Sequence, residues 1–217
     1  MGVSIDAARE QVAWVSRRLA EERLVHGSAG NASVRAGDRV AITPTGSVLA
    51  ELEPEEVVVV DLDGNVLDGA RAPSSELELN LGIYRRYDAG AVVHCHAPIA
   101  TALSTVVDEL PWIHYELMLL GGPVRVAPYA TFGTAELAAG VLDALEGRTA
   151  ALMANHGAIA FGADAREALD RTLLLEWLCE VYWRAAAAGA PRVLSERDLA
   201  AAAGAFERYR SIVDMSG

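Results

Sequence analysis

Two histidines two residues apart, His94 and His96, are where chemistry first shows in the sequence. They close an apolar run that begins at Ala91 and reads as a β-strand. Side chains alternate along a strand, so residues i and i+2 face the same side. The two imidazoles would then converge on a space for one divalent ion, with Cys95 facing away. A hydrogen-bonded or solvent-facing pair has the same spacing. His156 lies between Asn155 and Gly157, at the break between two apolar runs, where turns present functional side chains. A third neutral imidazole completes a facial set for zinc and leaves one position open. Glu76 is the natural fourth group. It follows Pro73-Ser74-Ser75 at the first turn of a helix, where the helix dipole alone also favours a carboxylate. Ser74 and Ser75 divide the same way. One suits a helix cap, and the two together with helix N–H groups suit a phosphate.

Two further loops fit an anion or are simply turns. Gly27-Ser28-Ala29-Gly30-Asn31 is small and polar, and Thr43-Pro44-Thr45-Gly46-Ser47 is rich in hydroxyls and backbone donors. Neither is a nucleotide loop, because Gly-Lys-Ser/Thr and G-x-G-x-x-G are both absent. No G-x-S-x-G elbow supports a serine hydrolase, and the two cysteines show no catalytic dyad.

These residues need elements to hold them. The periodicity predicts an amphipathic helix over 5–23, with Ile5, Ala8, Val12, Val15 and Leu19 near one face and Gly27 suited to end the segment. Short strands are expected over 32–35, 39–42 and 57–61, with a turn at Asp63-Gly64-Asn65. A helix follows over 75–87, where Ser75 and Glu78 have capping-box spacing and Leu77, Leu81 and Tyr84 mark a buried stripe. Further strands fall at 91–94, 124–127, 150–153 and 158–161. Helices fall at 98–106, 134–145, 165–188 and 195–209, with Thr134 and Ser195 as caps and Gly189 and Pro191 as stops. Strands mixed with helices throughout give an α/β layered domain with helices on both faces of a sheet. No repeat, low-complexity tail or long linker divides residues 1–217, so one domain is expected.

Thirty acidic against eighteen basic residues give a formal charge of -12. That argues against nucleic acid, whose binding requires clustered Lys and Arg, and against anionic membranes. The apolar runs are far shorter than a bilayer-spanning helix, and the first helix carries Asp6, Arg9 and Glu10 where a signal peptide needs an apolar stretch. A reduced cytoplasmic chain is the expectation, with Cys95 and Cys179 as core thiols.

Taken in order, the segments Gly27 to Asn31, Ile42-Thr43-Pro44-Thr45-Gly46, Pro73 to Glu76, Val92 to Ala97, Ile113-His114-Tyr115, Ala127 to Thr134 and Asn155-His156-Gly157 resemble the class II aldolase/adducin family. Within it the likeness is to the branch that acts on L-fuculose 1-phosphate. The resemblance implies a three-layer α/β/α sandwich around a central, largely antiparallel mixed sheet. It implies a C4 homotetramer with active sites between neighbouring subunits, and a small sugar phosphate as substrate. It places His94, His96 and His156 as ligands of one zinc per subunit, a site that manganese or cobalt could also take. Glu76 falls on the fourth resting ligand and catalytic acid/base. Gly30, Asn31, Thr45, Gly46, Ser74 and Ser75 fall on phosphate-binding positions. Tyr115 falls on the tyrosine that exchanges a proton with the aldehyde oxygen, and Phe132, Phe206 and Tyr209 fall at the aldehyde end.

The implied reaction is reversible retro-aldol cleavage of a ketose 1-phosphate to dihydroxyacetone phosphate and a small aldehyde such as L-lactaldehyde. Cys95 and Asn155 depart from the fuculose pattern beside the ligands, which leaves 5-deoxyribulose or 5-methylthioribulose 1-phosphate as alternative substrates. A methylthioribulose-1-phosphate dehydratase or a sugar-phosphate epimerase comes next, although the epimerase branch carries Asp at the place of Glu76. Two rivals lie further off. A non-catalytic adducin-like module would lack the intact ligand set. A non-haem iron oxygenase would need only two histidines and a carboxylate.

Overall fold

The computed structural model describes residues 3–214, with side chains described from 3 to 208. Nine strands form a single mixed sheet. In chain order they are β1 (Asn31–Ala36), β2 (Arg39–Ile42), β3 (Val58–Asp61), β4 (Val66–Asp68), β5 (Ala91–Cys95), β6 (Glu109–Leu110), β7 (Val124–Ala127), β8 (Ala150–Met153) and β9 (Gly157–Gly162). Their order across the sheet is β4-β3-β2-β1-β5-β9-β8-β7-β6. Every pairing is antiparallel except β7 with β8. The expected largely antiparallel sheet is therefore present.

The described residues form six α-helices, α1 (Ile5–Glu21), α2 (Leu77–Arg86), α3 (Pro98–Leu103), α4 (Ala135–Ala144), α5 (Ala165–Ala188) and α6 (Glu196–Asp214). The first five cover the two faces, and α6 packs against the 3₁₀ segment Tyr115–Leu120. The alternation of β5 shows how the sheet separates two cores. Ala91, Val93 and Cys95 pack with Val12 of α1, Leu103 of α3 and Leu169 of α5. Val92 packs on the other face with Leu81 and Ile83 of α2 and Val141 of α4. This is the three-layer α/β/α sandwich. Among the described residues, no helix is long and apolar enough to cross a membrane.

The structure departs locally from the sequence reading. Helix α1 stops before Gly27. Arg23 takes the left-handed conformation (φ 60°), its N–H donates to the Ala20 carbonyl, and the N–H of the buried Leu24 donates to Leu19. That is a Schellman closure, with burial of Leu24 offsetting the cost of a non-glycine at positive φ. The capping box at α2 does not form. Ser75 is exposed and Glu78 accepts from Arg85 at 3.0 Å. Instead Ser74 Oγ accepts from the Glu76 N–H at 3.3 Å, with Glu76 at the N-cap position. Ser195 does cap α6, exchanging bonds with Asp198, and Thr134 caps α4 by accepting from the Leu137 N–H. Strands β4 and β6 and the 3₁₀ segment Tyr115–Leu120 carry no sequence period long enough to read.

Candidate active site

Two chain segments bring the imidazoles together. His94 lies one residue before the end of β5 on the face shared with Val92, and His96 follows the strand on the same side. His156 sits in the turn between β8 and β9, where Asn155 takes φ 56°, a conformation asparagine tolerates. The pairing of Cys95 with Ala158 brings that turn against the end of β5. The three ring centroids lie 4.9 to 5.1 Å apart. Glu76, at the start of α2, closes the group from above the sheet. Its Oε2 lies 3.1 Å from His94 Nε2 and its Oε1 3.6 Å from His156 Nε2.

The protonation pattern suits a metal. His94 Nδ1 sits 2.9 Å from the Ala158 carbonyl, an acceptor, so Nδ1 carries the proton and Nε2 faces the centre. Burial disfavours the charged form of His94, but the facing Glu76 carboxylate outweighs it and raises the pKa. Burial, followed by His94 and His156, lowers His96 to about 4. Burial and then His94 lower His156 as well. Burial pushes Glu76 upward, but His94, His156 and His96 together hold it at about 2. The site thus offers the Glu76 carboxylate and the imidazole lone pairs of His96 and His156 near neutral pH.

The geometry passes a direct test of fit. His94 Nε2 and His96 Nε2 are 3.2 Å apart. Tetrahedral zinc with nitrogen ligands at about 2.0–2.1 Å sets neighbouring nitrogens about 3.3 Å apart. One ligand atom from each of His94, His96 and His156 lies within 4.8 Å of the others. Glu76 Oε1 is buried without a hydrogen-bond partner, which is costly unless a cation faces it. These four residues can hold a divalent metal.

A cavity of about 340 Å³ opens beside them. Gly30, Asn31, Thr45, Gly46, Ser74 and Ser75 all line it, with Glu76, His96, His156 and Phe132. The loops are laced together: Ser74 N–H donates to Thr43, Thr45 N–H to Ala72, and Arg71 to the Thr45 carbonyl at 2.9 Å. None of the described residues lining the cavity is Arg or Lys. An anion there meets the hydroxyls and amides of these residues rather than an arginine or lysine side chain.

Tyr115 is elsewhere. It lines a separate cavity of about 540 Å³ with Glu116, Ala202, Ala205 and Phe206. Its ring lies 5.6 Å from that of Phe206 and stacks on His114. The Tyr209 side chain lies outside the described residues. Sequence reasoning missed Tyr129, which also lines the first cavity, and Asn80, fully buried beneath it. Asn80 had one signal, a lone amide inside the apolar run Leu79 to Ile83.

Residues 10–183 match the family model described as Class II Aldolase and Adducin N-terminal domain. The chain is 40% identical over 205 residues to a 5-methylthioribulose-1-phosphate/5-deoxyribulose-1-phosphate aldolase of Rhodospirillum rubrum, covering 94% of this chain and 92% of that one. It is also 40% identical over 189 residues to an L-fuculose phosphate aldolase of Escherichia coli, covering 86% and 87%. A solved L-fuculose 1-phosphate aldolase superimposes with a TM-score of 0.87 at 36% identity, over 92% of this chain and 96% of the other. The chain belongs to the class II aldolase and adducin family, among its aldolases.

Proposed function

We propose that the protein catalyses reversible cleavage of the C3–C4 bond of a ketose 1-phosphate, releasing dihydroxyacetone phosphate and a small aldehyde. The observation that carries this reading is the Glu76 carboxylate held 3.1 Å from His94 Nε2 beside a cavity lined by small, hydroxyl-rich loops. The sequence contains no lysine, so the carbonyl cannot be activated as a lysine Schiff base. A divalent metal held by His94, His96 and His156, zinc by preference and manganese or cobalt as substitutes, supplies Lewis-acid stabilisation of the negative charge left on the ketone fragment.

The remaining work falls to the chain. Asn31, Thr45, Gly46, Ser74 and Ser75 bind the phosphate and fix C3 relative to Glu76. Glu76 gives a proton to C3 after cleavage and removes it in the synthetic direction. Such a positioned acid/base contributes about 10²–10⁴-fold. Tyr115 takes the C4 hydroxyl proton in cleavage and returns it in synthesis. Tyr115 and Phe206 line a different cavity from Glu76, which supports a role for them in a neighbouring subunit's site of a C4 homotetramer. Phe132, and Tyr209 with Phe206, bound the aldehyde end.

Two substrate types fit. L-fuculose 1-phosphate would release L-lactaldehyde. 5-Deoxyribulose or 5-methylthioribulose 1-phosphate would release acetaldehyde or its methylthio derivative. The more extensive match to the Rhodospirillum rubrum aldolase, 94% of this chain against 86%, favours the second type. The test is a cleavage assay of metal-loaded protein with all three ketose 1-phosphates and identification of both products. Dihydroxyacetone phosphate from at least one of them is expected. Its absence from all three, with dehydration or epimerisation instead, would overturn the reading.

A further inference from the structure

We propose that Asn80 is a positioning residue for Glu76, acting by fixing which way the Asn31 amide points. This rests on the aldolase reading above, and goes beyond it to a residue with no contact to the cavity.

Asn80 lies on α2, one turn after Glu76, and is fully buried. Its Nδ2 donates to the backbone carbonyl of Glu76 at 3.1 Å and to Asn31 Oδ1 at 2.8 Å. Asn31 Nδ2 in turn donates to Glu76 Oε2 at 2.9 Å. The bonds close a ring that starts and ends on the same residue. Its polarity is dictated at both ends, because the ionised Glu76 carboxylate at one end and the Glu76 backbone carbonyl at the other only accept. Asn80 must therefore present its NH₂ to that carbonyl, Asn31 must answer with its oxygen, and the Asn31 NH₂ is left for the carboxylate. A reversed Asn31 would set oxygen against oxygen at Glu76 and donor against donor at Asn80.

The far side of Asn80 is fixed as well. Ser33 Oγ donates to Asn80 Oδ1 at 2.7 Å, which leaves Tyr84 Oη, 2.9 Å away, to donate to Ser33. Asn31, Ser33, Asn80 and Tyr84 are all buried, so water does not offer alternative partners. The network spans residues 31 to 84 and converges on one carboxylate oxygen.

The test compares Asn80→Asp and Asn80→Ala, each alone and combined with Asn31→Ala, on metal-loaded protein. An ionised Asp presents only acceptors, so Asn31 faces acceptors on both sides and its amide loses the single orientation that serves Glu76. Asn80→Asp should lower kcat by about 10–100-fold, the usual range for residues that orient metal-site groups, with KM changed less than about threefold. Asn80→Ala should fall between it and wild type. In the Asn31→Ala background neither Asn80 change should lower kcat further, because the relay is already cut. Side-chain amide NMR should show the Asn31 NH₂ resonances displaced in Asn80→Ala. Thermal unfolding of each variant identifies loss by misfolding, and if Asn80→Asp does not fold, Asn80→Ala carries the comparison. Full kcat in a folded Asn80 variant, or equal losses with and without Asn31, overturns the proposal. An inactive wild-type protein would instead count against the aldolase reading, and the Asn31 NMR shift would still decide the relay.

Discussion

Gly157 and Cys95 touch through backbone alone. A Cβ placed on Gly157 would lie 2.3 Å from the Cys95 carbonyl oxygen and 3.2 Å from His96 Cδ2. The close approach is what lets the turn bearing His156 reach the strand end bearing His94 and His96. Gly30 does the same on the other side, where an added Cβ would lie 2.8 Å from the His94 carbonyl at a backbone φ of 91°. Backbone cannot yield as a flexible side chain can, so β5 and β9 must separate to admit a methyl group.

Gly157→Ala is therefore expected to lower stability by about 1–3 kcal/mol, the range for overpacking. It should also weaken zinc binding at least tenfold, because the imidazoles move apart. Thermal unfolding with and without zinc measures both. Unchanged zinc affinity would show that the ligand set does not depend on this contact.

Glu76→Gln keeps the shape of the side chain and removes the base. Turnover should fall about 10²–10⁴-fold while the protein retains bound metal through its three histidines. A cleavage assay paired with metal analysis decides it. Wild-type turnover would remove Glu76 from the proton transfers.

His96→Ala removes one of three ring ligands. Metal content per subunit, measured after dialysis against limiting zinc, should drop well below one. Stoichiometry equal to wild type would place the metal elsewhere.

Tyr115→Phe should impair cleavage more than proton exchange at C3 of dihydroxyacetone phosphate. Tyr115 lines a cavity apart from Glu76. Mixing Tyr115→Phe with Glu76→Gln subunits should therefore restore activity, through sites built from one intact half of each. Mixed subunits no more active than their average would mean that both residues act within one chain.

The metal-free protein should lose stability as pH falls from about 6.5 to 4. Burial, then His94 and His156, hold His96 at about 4, below its ordinary 6.5. Across that window the unfolded chain binds a proton that the folded chain refuses, so stability rises with pH. His156, also lowered, acts in the same direction. His94 is raised, so it is protonated in both states there and adds no slope. Glu76 contributes stability above 4.5, lost as pH falls toward about 2. Melting of stripped protein against pH should show the decline, and His96→Gln should flatten it. An equal slope in that variant assigns the dependence to other groups.

Much of this was present in the sequence because it is local. His94 and His96 share a face because a strand alternates, and the apolar runs of β3, β5, β8 and β9 are read from the same rule. The two cavity loops were legible as small polar turns, and the cavity joins both to the start of α2. Local signals failed where a distant partner decided the outcome. Glu78 left its capping box for Arg85, and Arg23 took the helix-ending role expected near Gly27. Strand β4 is exposed along its whole length and is defined by pairing with β3 rather than by a pattern of its own. The tertiary structure alone set Glu76 against His94, bound Asn80 to Asn31 across 49 residues, and put Tyr115 in a cavity apart. Periodicity reports which side of an element is buried. Which groups meet there depends on strand order and backbone approach, and those are fixed only when the two cores close on the sheet.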